Sequence, residues 1–174
     1  MSVLIEAFSL VVPRRLLYLG FVGGIEAFEI ELSRPSAENR SVCADAHLIS
    51  VSFFTPEAAG RMANTLTSAG LVESKKGAYL DFAILDQHSG PLLECHWLDW
   101  TLEPEGHTCA WLADAGKGEL AAPLGWSPTR SRRLTPPGAT PAVDAMLLSD
   151  EKGVETWLDL RTGRIASREK SPGT

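Results

Sequence analysis

Cysteine is scarce in this chain, and what there is of it is scattered: Cys43, Cys95 and Cys109 are an odd number of thiols with no close-spaced pair. That argues against a disulfide framework or a structural zinc site and leaves buried free thiols as the expectation. Val3 to Val12 is apolar, but ten residues are too few to cross a bilayer. Arg14-Arg15 follows that run, where a secretory signal would carry its basic pair in front, so the run reads as a buried strand of a cytoplasmic protein with no membrane partner. No glycine-rich phosphate loop, G-x-S-x-G elbow, H-E-x-x-H pair or dinucleotide fingerprint occurs. The histidines show neither H-x-H nor H-x-x-x-H spacing, so no metal and no cofactor is implied. Internal repeats and low-complexity tracts are absent too.

What is present is ordinary globular material: 174 residues, 44% hydrophobic and 22% charged, enough for one core with a small appendage. The net charge of −6 is unevenly spread, with 8 basic and 16 acidic side chains in residues 1–127 against 8 basic and 6 acidic in residues 128–174. An acidic body binds phosphate backbones poorly, so no nucleic-acid partner is expected.

Local signals are densest from Ser50 to Pro91. Ile49, Val51 and Phe53 alternate with Ser50 and Ser52, which predicts a strand with one core face and one face against something more polar. Thr55-Pro56-Glu57 is a helix start, with a capping hydroxyl, a proline at the first position and an acid at the positive end of the dipole. Ala59, Met62, Ala63 and Leu66 form an apolar stripe, and Gly70 is placed to cap the helix Pro56–Ala69 in a left-handed conformation. Gly60 inside that helix predicts either a close backbone approach or a tolerated weakness. A Lys75-Lys76-Gly77 turn then leads into a strand Tyr79–Asp86, with Leu80, Phe82 and Ile84 on one face.

Upstream, Val3–Val12 predicts one central strand, Arg14–Leu19 a helical turn and Gly24–Leu32 a helix. Residues 41–53 are either one strand or a hairpin turning at Asp45-Ala46, and the hairpin is preferred. The order is then strand, helix, strand, strand, helix, strand, an α+β ferredoxin-like βαββαβ core with an antiparallel sheet and two helices on one face. Leu92–Leu102 and His107–Asp114 predict a hairpin across Pro104-Glu105 that extends the sheet and sets Trp100 opposite Cys109. The expected organisation is a sheet domain over 1–114, a Gly/Pro-rich surface loop over 115–141, a C-terminal β-hairpin unit over 142–168 and a frayed tail over 169–174.

Three clusters carry side chains suited to chemistry or recognition. Cys43, Asp45 and His47, if on one strand face, are a candidate catalytic set of nucleophile, orienter and base; if Asp45 lies in a turn, the set dissolves. Asp86, His88 and His96 could converge at a sheet edge as ligand-binding groups. Trp97, Trp100 and Trp111 come from one hairpin, where one face serves the core and the other offers an aromatic surface to a ligand. A further basic run, Arg130, Arg132 and Arg133, reads as a solvated loop. The leading expectation is a non-catalytic α+β domain that binds a protein partner or a small-molecule ligand. The alternative is a small hydrolase or acyl-transfer enzyme using Cys43 with His47, or His88 with His96. Exposed sheet edges are also compatible with a homodimer.

Overall fold

The N-terminal apolar run is two strands. In a computed structural model that describes residues 1–34, 40–127, 133–134, 145–151, 154–159 and 165–169, β1 (Ser2–Ile5) and β2 (Phe8–Pro13) are separated by Glu6 and Ala7, where the chain turns from one sheet into another. Ala7 has φ 47°, a left-handed conformation that costs an L-residue about 1–2 kcal/mol. Reciprocal hydrogen bonds hold it there. The Ala7 N–H donates to Gln87 Oε1 at 2.8 Å, and the Ala7 carbonyl accepts from the Gln87 N–H at 2.9 Å. Ser9 Oγ donates to the Glu6 carbonyl (2.9 Å) and accepts from the Glu6 N–H (3.0 Å), so no peptide group of Glu6 or Ala7 is left stranded. The single strand Val3–Val12 is therefore corrected: no glycine or proline marks the corner, and its partners lie far away in the sequence.

After β2 come α1 (Arg14–Leu19), α2 (Gly24–Ser33), β3 (Ser41–Ala44), β4 (Leu48–Phe53) and α3 (Pro56–Ser68). The short strands β5 (Ser74–Lys75) and β6 (Ala78–Tyr79) precede β7 (Ala83–Asp86), β8 (Gly90–Pro91), β9 (Leu98–Leu102), β10 (Thr108–Leu112) and β11 (Leu120–Ala121). Last are β12 (Arg133–Leu134), β13 (Ala145–Glu151), β14 (Val154–Asp159) and β15 (Ile165–Glu169). The class is mixed α+β. One sheet runs β3-β4-β2-β7-β8 with every neighbouring pair antiparallel. A second runs β11-β1-β10-β9, with only β1 and β11 parallel. The C-terminal strands form their own sheet, β12-β15-β14-β13, and Glu169 closes β15. Residues 128–132 and 135–141 of the expected 115–141 loop lie outside the described residues, as do 35–39, 142–144, 152–153, 160–164 and 170–174.

Helix α3 follows its sequence signals. Thr55 Oγ1 accepts the Ala58 N–H at 3.2 Å, and Pro56 sits in the first turn. At the other end Leu71 N–H reaches the Leu66 carbonyl and Gly70 N–H the Thr67 carbonyl, with Gly70 at φ 106°, the two bonds of a Schellman cap. The stripe Ala59, Met62, Ala63 and Leu66 is buried, and the helix packs on β2 and β4. Gly60 has open space where a Cβ would stand, so the close approach does not occur.

The strand expected over Tyr79–Asp86 is interrupted. Asp81 exchanges hydrogen bonds with Val72, its N–H to the carbonyl and its Oδ2 from the N–H, which bends the chain between β6 and β7. Leu80 is consequently exposed, while Tyr79, Phe82 and Ala83 are all buried.

Both hairpins are offset from the sequence reading, and in each case turn chemistry is the reason. Between β3 and β4 the loop is Ala46-His47, because Asp45 pairs with Leu48 and its side chain closes the turn. Between β9 and β10 the loop has three residues, Pro104 to Gly106, with Gly106 at φ 79°. That extra residue shifts the register by one, so Trp100 faces Ala110 and Cys109 faces Thr101. Nor does this hairpin extend the main sheet: β10 pairs with β1.

The result is a layered core. Ser50 Oγ donates to the Leu4 carbonyl of β1 (2.9 Å), and Ser52 Oγ lies 2.7 Å from Ser9 Oγ. Since Ser9 already donates to Glu6, Ser52 must be the donor between them. The serine face of β4 is thus buried against the second sheet, and the opposite face, with Ile49, Val51 and Phe53, is left for the helices. Because nothing crowds Gly60, Gly60→Ala is expected to raise unfolding stability by about 1 kcal/mol. Urea titration should show a higher midpoint at unchanged slope; a lower midpoint would mean that the position is packed.

Candidate functional site

Cys43, Asp45 and His47 are close in sequence but are not assembled as a nucleophile with its base. Asp45 Oδ1 accepts the backbone N–H groups of His47 (2.6 Å) and Leu48 (2.7 Å), which makes it the clasp of the hairpin. His47 stands exposed at the loop tip, and its carbonyl accepts from the Arg14 N–H. Cys43 is buried, with its thiol 3.6 Å from the Leu4 carbonyl. Burial pushes that thiol up from 9.0 to about 12, and the carboxylates of Glu6 and Asp45 push the same way. A reactive cysteine needs the reverse, a neighbouring cation or helix N-terminus that favours thiolate.

Asp86, His88 and His96 are likewise distributed. Asp86 Oδ1 accepts from the N–H of His88 (2.7 Å) and of Ser89 (3.0 Å), turning β7 into β8 by the device Asp45 uses. His96 is exposed, its Nε2 3.4 Å from Glu94 Oε1. Among the described residues no three His, Cys, Asp or Glu side chains converge as a metal site.

The tryptophans divide by environment. Trp97 leans on the core just before β9, and Trp126 meets His107 edge-on with ring centroids 5.4 Å apart. Trp111 is half-buried on β10, opposite Asp99, while the side chain of Trp157 lies outside the described residues. Trp100 differs from these. Its indole lies directly on Gly90, so closely that a Cβ there would clash with the ring, and Gly90 adopts φ 81°. An aromatic laid over a strand glycine covers backbone that lacks a side chain of its own.

Trp100 also lines a groove of about 570 Å³ between β9 and the segment Ser89–Cys95. Leu98, Asp99 and Trp100 line one side, and Leu92, Leu93, Glu94 and Cys95 the other. Leu92 and Leu93 are 47% and 37% exposed beside a half-buried indole, in a groove whose lining is more polar than apolar overall. Burial holds the Cys95 thiol up at about 11, so it offers the groove a neutral S–H. A second hollow of about 510 Å³, beside Phe21, Val22 and Ser68, is lined by no ionisable side chain.

Of the sequence-picked residues, the groove therefore gathers Trp100 and leaves Trp111, Asp86 and His88 outside its lining. It leaves Trp97 and His96 outside as well, takes in Glu94 and Cys95 of the Glu94-Cys95-His96 run, and adds Leu92, Leu93 and Asp99. One signal for it lay in the composition: between Lys76 and Lys117 there is no lysine or arginine, while seven Asp and Glu occur. With this geometry in hand, comparison with protein-family models, curated proteins and solved structures finds no match for the chain.

The buried thiols set a pH limit. An unfolded Cys43 loses its proton near pH 9, whereas the folded one keeps it to about pH 12, so its contribution to stability is complete below 9 and is lost as pH rises between those values. The urea midpoint should be level from pH 7 to about 8.5 and fall above 9, less steeply in Cys43→Ala. At pH 8 the native Cys43 thiol should react with an aromatic disulfide about a thousandfold more slowly than a free thiol. Labelling at the free-thiol rate would show an activated cysteine instead.

Proposed function

We propose that this α+β chain is a non-catalytic binding protein whose ligand site is the groove between β9 and Ser89–Cys95. The observation that carries the reading is Trp100, seated on Gly90, lining a groove together with the exposed Leu92 and Leu93. An indole and exposed leucines set among polar groups give a ligand both apolar contact and hydrogen-bond partners. The carboxylates and the thiol that an enzyme would need are committed elsewhere: Asp45 and Asp86 to turns, Cys43 to the interior. No observation favours the hydrolase or acyl-transfer alternative. We further propose that β2, α2, β3, β4, α3 and β7 form a ferredoxin-like unit. The strand order β3-β4-β2-β7 supports it, with α1 and α2 in the first crossover and α3 in the second.

The test is an amide-resolved NMR screen of uncharged aromatic and aliphatic fragments against the full chain. Shifts are expected to cluster at Leu92, Leu93 and Trp100, and Gly90→Ala, which must displace the indole, should weaken the hits about tenfold. Hits confined to the hollow near Val22 and Ser68, with the groove silent, would sink the reading.

A further inference from the structure

Strand β9 ends its sheet among the described residues, and its hydrogen-bonding alternation determines what faces the groove. The Ala113 N–H reaches the Trp97 carbonyl and the Glu103 N–H reaches the His107 carbonyl, so the odd-numbered residues of β9 exchange backbone hydrogen bonds with β10. The peptide groups of Trp100 and Leu102 consequently point outward, away from β10. An edge of this kind is a template for one more strand. The segment Ser89–Cys95 forms the groove's other wall, opposite Leu98, Asp99 and Trp100, and Leu102 continues the same outward edge beyond it.

Side chains and charge narrow the occupant. Leu98, Trp100 and Leu102 stand on one face of β9, with Asp99 and Thr101 on the other. An added strand would therefore set alternate side chains beside an apolar row and beside Asp99. Both ionised side chains lining the groove, Glu94 and Asp99, are exposed and acidic. The imidazole of His96 lies against Glu94, and Lys117, at the far end of the hairpin, is already paired with Glu103 at 2.5 Å. A second copy of this chain joined through β9 would bring acidic edges together, which disfavours self-pairing.

We propose that the groove takes an extended peptide segment of alternating apolar and basic residues, added to β9 as a further strand of its sheet. The inference rests on the groove being the ligand site. Its probe is the hexapeptide acetyl-Val-Lys-Leu-Arg-Val-Lys-amide, titrated into the uniformly ¹⁵N-labelled full chain. Two comparisons accompany it: the same peptide with glutamate at every basic position, and two forms N-methylated at one or the other alternate set of residues.

Binding of the basic peptide is expected to shift the Trp100 and Leu102 amides and to slow their hydrogen exchange. One N-methylated form should bind at least tenfold more weakly and the other nearly as well, because only alternate N–H groups of an added strand face β9. The acidic peptide should bind at least tenfold more weakly, and Asp99→Asn should weaken the basic one about threefold. Equal binding of basic and acidic peptides, indifference to both methylation patterns, or unmoved Trp100 and Leu102 amides would each overturn the proposal. Those outcomes leave the groove itself standing if uncharged fragments still bind at Leu92, Leu93 and Trp100; silence there removes the site as well.

Discussion

Everything in this architecture turns on the corner at Glu6 and Ala7, where a left-handed alanine is clamped by a buried glutamine. Gln87 binds both peptide groups of Ala7, and its own carbonyl accepts from Thr108 Oγ1 at 2.5 Å, so one residue ties the corner, the end of β7 and the start of β10. Net hydrogen bonds are worth about 1 kcal/mol each, yet leaving a buried partner unmade costs about 1–3 kcal/mol. The strain at Ala7 is therefore offset by bonds that only the bent chain can make. Without the bend, β1 would continue in the main sheet and the β9–β10 hairpin would have no strand to join.

The bend also explains the serines of β4. A sheet face bearing hydroxyls would ordinarily look outward, but here Ser50 and Ser52 are buried because β1 folds back over them. Each hydroxyl is answered: Ser50 by the Leu4 carbonyl, Ser52 by Ser9, and Ser41 by Glu6 Oε2 at 3.0 Å. These bonds orient one sheet on the other, which an all-apolar interface would do less specifically. The cavity-rimming segment Ser89–Cys95 follows from the same arrangement, since it is the strip of chain that passes from the edge of one sheet toward the edge of the other.

Residue types that look like chemistry are largely spent on this geometry. Asp45 and Asp86 each use one carboxylate oxygen to gather two backbone N–H groups, a turn-closing role that competes with any catalytic one. The sequence reading left that outcome open at Asp45 and looked for convergence at Asp86. Trp100, an aromatic on a half-covered strand, stood out by residue type alone. Leu92, Leu93 and Asp99 passed unremarked because their significance depends on which edge faces which segment.

The amino-acid sequence alone determined the local elements. Helix α3 with both caps, the helix over Gly24–Ser33, the β3–β4 hairpin and the mixed α+β class follow from signals that act within a few residues, through hydrogen bonds and dihedral preferences that need no distant partner. What tertiary structure decided was everything that hinges on a non-local bond. The split of Val3–Val12, the assignment of the second hairpin to its own sheet and the seating of Trp100 on Gly90 rest on contacts across 80, 103 and 10 positions of chain, from Ala7 to Gln87, Ile5 to Thr108 and Gly90 to Trp100. No periodicity carries such information, because an apolar strand alternates in the same way whichever neighbour it finds.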